Sequence, residues 1–221
     1  MEIDNNRPDA MAPTTVRIAL VDNDPRALLS LTNSIEQMFD SVSVVFTTTK
    51  GETALEYRNK VSLWILDMSL EDMSGTNVCR RLRTRAGNIA TPILGVTSFS
   101  LERYRTAMIV AGGQGLVDKS DDSAIKQAIQ LLVQGKTLKG FESPSAARHR
   151  ILNEEKRHNE LTRREQEVIS LTAKGMLDEE VANQMGVTKD TIRKHMQHIL
   201  QKLGLHTARQ AAVYWVNRHG Q

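Results

Sequence analysis

Five short runs of this chain are apolar at nearly every position: VRIALV (16–21), VSVVF (42–46), LWIL (63–66), PILGV (92–96) and GLV (115–117). A strand with one wet face alternates apolar and polar side chains. These runs do not alternate, so as strands they need cover on both faces. The cover lies between them. Segments 25–39, 51–59, 76–85 and 101–111 carry helical apolar spacing, and 123–133 follows the last run. Parallel strands need crossovers of this kind. The expected fold of this part is an α/β doubly wound domain of five parallel strands, whose chemistry gathers at the carboxyl ends of the strands.

Polar residues stand at those ends. Asp22, Asn23 and Asp24 follow the first run, Asp67 the third, Thr97 the fourth and Lys119 the fifth. Grouped oxygen ligands can hold Mg²⁺ and make a phosphoryl group tolerable beside a carboxylate. A lone Asp can then act as nucleophile and become an aspartyl phosphate. A hydroxyl and an ammonium nearby would bind the new phosphoryl oxygens. The Gly-rich AGGQG (111–115) is expected to be a turn, because it follows a helix and precedes a strand, the reverse of a phosphate-cradling loop.

LVDNDP, WILDMSLEDMSG, PILGVTS and GLVDKS make the region from about Val16 to Gly135 resemble the receiver domain of bacterial two-component response regulators. The resemblance implies strand order 2-1-3-4-5, Asp67 as phosphoacceptor, and Thr97 and Lys119 as readers of the phosphorylated state. It also implies a Mg²⁺ site from Asp22, Asn23, Asp24, Asp67 and the backbone carbonyl of Ser69. Asn23 replaces the second acid of the family pattern and supplies no charge, so Mg²⁺ should bind more weakly. Leu70-Glu71 replaces the usual Met-Pro, and Leu116 occupies the place of the fifth-strand aromatic. Asp22-Asn23-Asp24 is also similar to the D-x-D of haloacid dehalogenase-like phosphatases. Those enzymes need a longer domain than one that closes by about Val133, so the chain is not expected to be an enzyme.

A second module follows. Thr162-Arg163-Arg164-Glu165 has capping-box spacing, and Val168, Ile169 and Leu171 can be buried behind it. A short helix from about 178 to 185, a Gly186-Val187 turn and a longer helix capped by Thr188 complete a helix-turn-helix pattern. At about 100° per residue, Ile192, Met196, Ile199 and Leu203 of the longer helix form one apolar stripe. Its opposite face shows Asp190, Lys194, Gln197 and Gln201, flanked by Arg193 and His198. Lys, Arg and Gln can read base edges, while Thr188, Lys189, Thr191 and Lys202 suit phosphate oxygens.

LTRREQEVISLTAKG, EEVANQMGVTKDTIRKH and ILQKLGL resemble the LuxR-type helix-turn-helix, and the whole chain resembles a NarL/FixJ-type response regulator. This implies an all-α DNA-binding domain behind the receiver, with Arg193, Lys194 and Gln197 as base readers. The histidines around His195 and His198 lack the cysteine or carboxylate cluster that a metal site would need. The last helix, TARQAAVYWVNRH, has an apolar remainder on which two copies could pair.

Charge and composition agree with this division. From Lys156 to Gln221, 11 Lys and Arg stand against seven Asp and Glu, whereas the rest of the chain is near balance. The positive excess lies where phosphates would need it. A single cysteine, Cys79, excludes an intramolecular disulfide and fits a reducing compartment. No apolar run approaches the roughly 20 residues of a membrane helix, so a cytoplasmic protein without membrane contact is expected. The expected organisation is a disordered tail (1–14), a receiver (15–136), a flexible linker (137–157) in which Pro144 to Leu152 could form a short helix through Ala146, Ile151 and Leu152, and the helix-turn-helix domain (158–221). The expected partners are double-stranded DNA, a histidine kinase and a second copy, or another regulator in a heterodimer. The alternative is a regulator that works without phosphorylation, its receiver serving as a dimerisation or docking surface.

Overall fold

The computed structural model of the chain describes residues 15–87 and 90–219, and the tail expected over 1–14 lies outside them. The chain divides into two compact units, the first ending at Ile151 and the second beginning at Leu152.

The first unit is built on a five-stranded sheet of order β2-β1-β3-β4-β5. Its strands β1 (Val16–Val21), β2 (Val42–Thr48), β3 (Leu63–Asp67), β4 (Ile93–Thr97) and β5 (Gly115–Asp118) are all paired in parallel. The order and the parallel sense agree with the expectation from sequence. Successive side chains point to opposite faces. Ile18, Leu20, Leu63, Ile65, Leu94 and Val96 therefore pack on one side, with Leu28, Leu31 and Ile35 of α1 (Pro25–Met38) and with Ile125, Ile129 and Leu132 of α5 (Asp122–Val133). Ala19, Val21, Trp64 and Leu66 pack on the other side. There they meet α2 (Gly51–Glu56), α3 (Gly75–Thr84) and α4 (Leu101–Ala111). Each fully buried large aliphatic side chain stabilises the unit by about 1.5–3 kcal/mol, and β3 and β4 are buried along their whole length.

Register sets the site. Asp67 is the last residue of β3 and pairs with Val96, while Thr97 ends β4 and pairs with Asp118, beside Lys119. The chain then turns back tightly: a Cβ on Gly75 would lie 2.1 Å from the Asp67 carbonyl oxygen, so only glycine fits there.

The segment expected to be a linker holds a helix. α6 runs from Pro144 to Asn159, and Phe141, Ala147 and Ile151 are buried within the first unit. Arg148 donates to the carbonyls of Arg83 and Arg85 at 2.8 and 3.0 Å, and Arg150 donates to that of Ile109 at 2.8 Å while pairing with Glu142.

The second unit is helical. α7 (Arg163–Ala173), α8 (Asp178–Met185), α9 (Lys189–Leu203) and α10 (Ala208–His219) enclose Leu161, Val168, Ile169, Leu171, Val181, Ala182, Ile192, Met196, Ile199, Leu203 and Ala211. The stripe expected on the long helix, Ile192, Met196, Ile199 and Leu203, is its buried face. Gly186 takes the left-handed conformation (φ +66°) that closes α8 and opens the turn into α9. Among the described residues, no helix is long and apolar enough to cross a membrane.

Candidate functional site

At the carboxyl edge of the sheet, Asp22 and Thr97 are fully buried and Asp67 is 5% exposed. The Lys119 ammonium pairs with Oδ2 of Asp22. Burial raises the Asp67 pKa above the ordinary carboxylate value, and the neighbouring charge of Asp22 raises it further. Lys119 and the backbone amides of Met68 and Ser69 oppose the shift. Two carboxylates are thus held against their mutual repulsion, with the Lys119 ammonium paired to Asp22 and its charge felt at Asp67. Such an arrangement suits a nucleophilic Asp whose charge is relieved by a cation.

The structure brings Asp22, Asp67, Thr97 and Lys119 together and gives Asp24 another task. Oδ1 of Asp24 accepts from the Arg26 amide at 2.8 Å and caps α1, with Pro25 in the first turn, while the Asp24 amide donates to Asp22 Oδ1 at 3.0 Å. An Asp directly before Pro at a helix start is the sequence signal for this cap. Among the described residues, no three acidic, imidazole or thiol groups gather as a metal cage. Asn23 is half-buried beside the site. Oγ1 of Thr97 accepts from the Phe99 amide at 3.1 Å.

One neighbour escaped the sequence reading. Tyr104 on α4 places its hydroxyl 3.1 Å from that of Ser69, whose amide serves Asp67. No spacing rule marks a residue that reaches the loop from a separate helix.

In the helical unit, the side chains expected to face DNA fall into two sets. Lys194, Gln197, His198 and Gln201 lie exposed on α9, opposite its buried stripe, and no group among the described residues holds them. The others have partners. Thr188 caps α9, accepting from the Thr191 amide at 3.2 Å and sharing a hydroxyl contact with Thr191 at 2.9 Å. Lys189 pairs with Glu179 at 2.9 Å, and Arg193 pairs with Asp190 at 3.4 Å and Asp178 at 3.7 Å. Lys202, expected at a phosphate, instead donates to both oxygens of Glu165 at 2.9 and 2.7 Å. Glu165 is buried, and a buried carboxylate requires such a partner. The sequence showed Glu165 only as half of a capping box.

Residues 18–130 match the response regulator receiver domain, and residues 159–215 match the bacterial regulatory proteins of the luxR family. The response regulator protein VraR of Staphylococcus aureus is 25% identical over 203 residues, spanning 90% of this chain and 96% of VraR. A crystal structure of a LuxR-family two-component response regulator from Aurantimonas sp. SI85-9A1 is 27% identical, with a TM-score of 0.52 over 64% of this chain and 98% of that one. The two-component response regulator RcsB, solved in complex with DNA, is 20% identical with a TM-score of 0.52, covering 92% of this chain and 98% of RcsB. At that identity the likeness to RcsB is one of fold.

Proposed function

Because the chain belongs to the response regulators that join a receiver domain to a LuxR-type DNA-binding domain, we propose that it is a transcription regulator whose α9 reads duplex DNA and whose receiver accepts a phosphoryl group on Asp67. The observation that carries the DNA half is the free row Lys194, Gln197, His198 and Gln201, set opposite a fully used apolar stripe. Lys194 suits guanine, and Gln197 and Gln201 suit adenine, each good bidentate contact being worth about 1–3 kcal/mol. Thr188 and Thr191 at the start of α9 would anchor phosphates without reading sequence, whereas Lys189 and Arg193 are paired with carboxylates of α8. The protein would bind paired half-sites as a dimer, in the cytoplasm.

The receiver half rests on the buried Asp22, Asp67, Thr97 and Lys119 at one edge of the sheet. A carboxylate oxygen of Asp67 would attack phosphorus on a histidine kinase's phosphohistidine. The P–N bond breaks as the O–P bond forms, and the imidazole leaves. Lys119 would then neutralise one phosphoryl oxygen, and Thr97 would donate its hydroxyl to another. Receiver domains typically bind Mg²⁺ at this site. The donor set fits: two carboxylates, Asp22 and Asp67, lie close enough for the Asp22 charge to raise the Asp67 pKa, a repulsion that a cation would relieve. Asp22, Asp67 and the Ser69 carbonyl would hold the ion, with Asn23 contributing an uncharged oxygen. Bound there, it would supply the positive charge that lets an anionic carboxylate approach an anionic phosphoryl group.

One observation favours a second reading, in which the receiver acts as a docking surface without phosphorylation. Asp24 caps α1 and Asn23 is neutral, and Asp22, the remaining acid after β1, already pairs with Lys119. Beryllofluoride with Mg²⁺ separates the two. The first reading expects it to change the affinity of the wild type for a DNA site obtained by in vitro selection, and to leave Asp67→Ala unaffected. An unchanged wild type supports docking. Loss of selected-site binding in Lys194→Ala with Gln197→Ala tests the DNA half in the same assay.

A further inference from the structure

The surface around the DNA-facing helix is electrically balanced: α8 and α9 together carry four basic and four acidic residues. Three of the acids, Asp178, Glu179 and Glu180, crowd the first turn of α8. Glu180 is spent locally, its Oε2 accepting from the Leu177 amide at 2.7 Å to complete a capping contact. The other two reach across to α9. Glu179 holds Lys189 at 2.9 Å, and Asp178 lies 3.7 Å from Arg193, which Asp190 also contacts at 3.4 Å. The Lys189 ammonium holds the Glu179 carboxyl below its ordinary pKa. Lys202 is committed to Glu165. Of the four cations on α9, Lys194 alone has no carboxylate partner among the described residues.

We propose that Asp178 and Glu179 are specificity-determining residues, which act by reserving Arg193 and Lys189 from indiscriminate phosphate contact. The inference rests on the DNA-binding reading of α9. Non-specific affinity for duplex DNA comes from neutralised phosphates and the counterions they release. A cation already paired with a carboxylate contributes little to it, because phosphate must displace the acid and then sit beside it. Contacts to base edges by Lys194, Gln197 and Gln201 are not discounted in this way. The carboxylates therefore lower binding to arbitrary sequence more than binding to the cognate site, which is how a repulsive element creates discrimination.

The test uses the full-length protein and a fluorescent duplex of scrambled sequence, titrated at several salt concentrations beside a duplex carrying the selected site. Asp178→Asn with Glu179→Gln should bind the scrambled duplex about tenfold more tightly. Its plot of log affinity against log salt should steepen by roughly 0.9 per freed cation. The ratio of selected to scrambled affinity should fall. Glu179→Gln alone, at a solvent-facing side chain 72% exposed, should give about half of the change and guards against a folding defect at position 178. If both variants match the wild type in affinity and salt slope on scrambled DNA, the inference is overturned while the reading of α9 survives. If Lys194→Gln and Gln197→Ala also leave selected-site binding intact, that reading falls, and the inference falls with it.

Discussion

Lys202, in the last turn of α9, donates to both carboxylate oxygens of Glu165, at 2.9 and 2.7 Å, and Glu165 also closes the capping box that starts α7. Thr162 completes the arrangement: its amide donates to Glu165 Oε2 at 2.7 Å, and its hydroxyl accepts from the Glu165 amide at 3.3 Å. One buried carboxylate thus ties the first helix of the DNA-binding unit to the end of the third.

Burial would raise the Glu165 pKa, but Lys202 and the Thr162 amide and hydroxyl outweigh it and hold the carboxyl below its ordinary value of 4.5. A carboxyl with a depressed folded pKa stabilises the fold above its unfolded value, and that stability drains away as pH falls through the folded one. The second unit should therefore lose stability below about pH 4.5, and Glu165→Gln should flatten that loss. At neutral pH, Glu165→Ala should cost on the order of 2 kcal/mol, from the cap and the stranded Lys202 donors. Hydrogen exchange of the α7 and α9 amides reads both effects. Unchanged protection in Glu165→Ala would refute the linkage.

His158 answers to pH in a different window. Its ring is buried, Nδ1 has no hydrogen-bond partner, and Tyr214, Trp215 and His219 pack around it. Burial first, then the charges of Arg218 and His219, push its pKa from 6.5 down to about 4. An imidazole kept neutral in the fold is protonated first in the unfolded chain, so stability falls as pH drops from about 6.5 toward 4. Between pH 7 and pH 5 the second unit should lose about 2 kcal/mol. His158→Phe should remove most of that slope in denaturant unfolding curves at the two pH values. An equally steep slope in the variant would show that the ring is not the titrating group.

Legibility followed apolar pattern. The strands stood out as runs too apolar to alternate, which places Ile18, Leu20 and Ile65 in a sheet covered on both faces, and helical spacing placed Ile192 and Met196 on the buried face of α9. The site residues at strand ends were legible because topology delivers them to one edge. Asp24 and Lys202 were legible as charges but not as to partner, since an N-cap and an interhelical ion pair depend on what packs nearby. The segment 137–157 has few apolar residues and reads as a connector. Phe141, Ala147 and Ile151 nevertheless bury themselves, positioned by Arg148 and Arg150 donating to backbone carbonyls, an interaction that has no period.

Asp67 should destabilise the receiver that it serves. An acid whose folded pKa is raised opposes folding at neutral pH, and the penalty fades as pH falls through the folded value. Burial and Asp22 set that penalty here. Asp67→Asn should therefore raise receiver stability at pH 7 while abolishing the response to beryllofluoride. Asp22→Asn should lower the Asp67 pKa, seen by carbon NMR titration of the carboxyl. A thermal midpoint for Asp67→Asn at or below that of the wild type would contradict the electrostatic account.

Arg83 offers the sharpest test of how the first unit is closed. Its guanidinium is fully buried and donates to the carbonyls of Gly112 at 3.0 Å and Thr91 at 2.9 Å, and to the side-chain oxygen of Gln114. Gln114 passes the connection on, accepting from the Ile93 amide at 2.9 Å and donating to the carbonyls of Gly112 at 2.9 Å and Glu142 at 3.3 Å. Burial lowers the Arg83 pKa to about 10, which still leaves it charged at neutral pH. Arg83→Ala would strand several buried acceptors at once and should cost about 3–5 kcal/mol. Arg83→Lys should recover little, because an ammonium cannot reproduce the planar fork. Denaturant unfolding followed by Trp64 fluorescence measures the loss. Exchange in residues 137–151 should rise in parallel, since Gln114 connects Arg83 to that segment. A cost below about 1 kcal/mol, with that exchange unchanged, would mean that the buried arginine is incidental to holding residues 137–151 in the first unit.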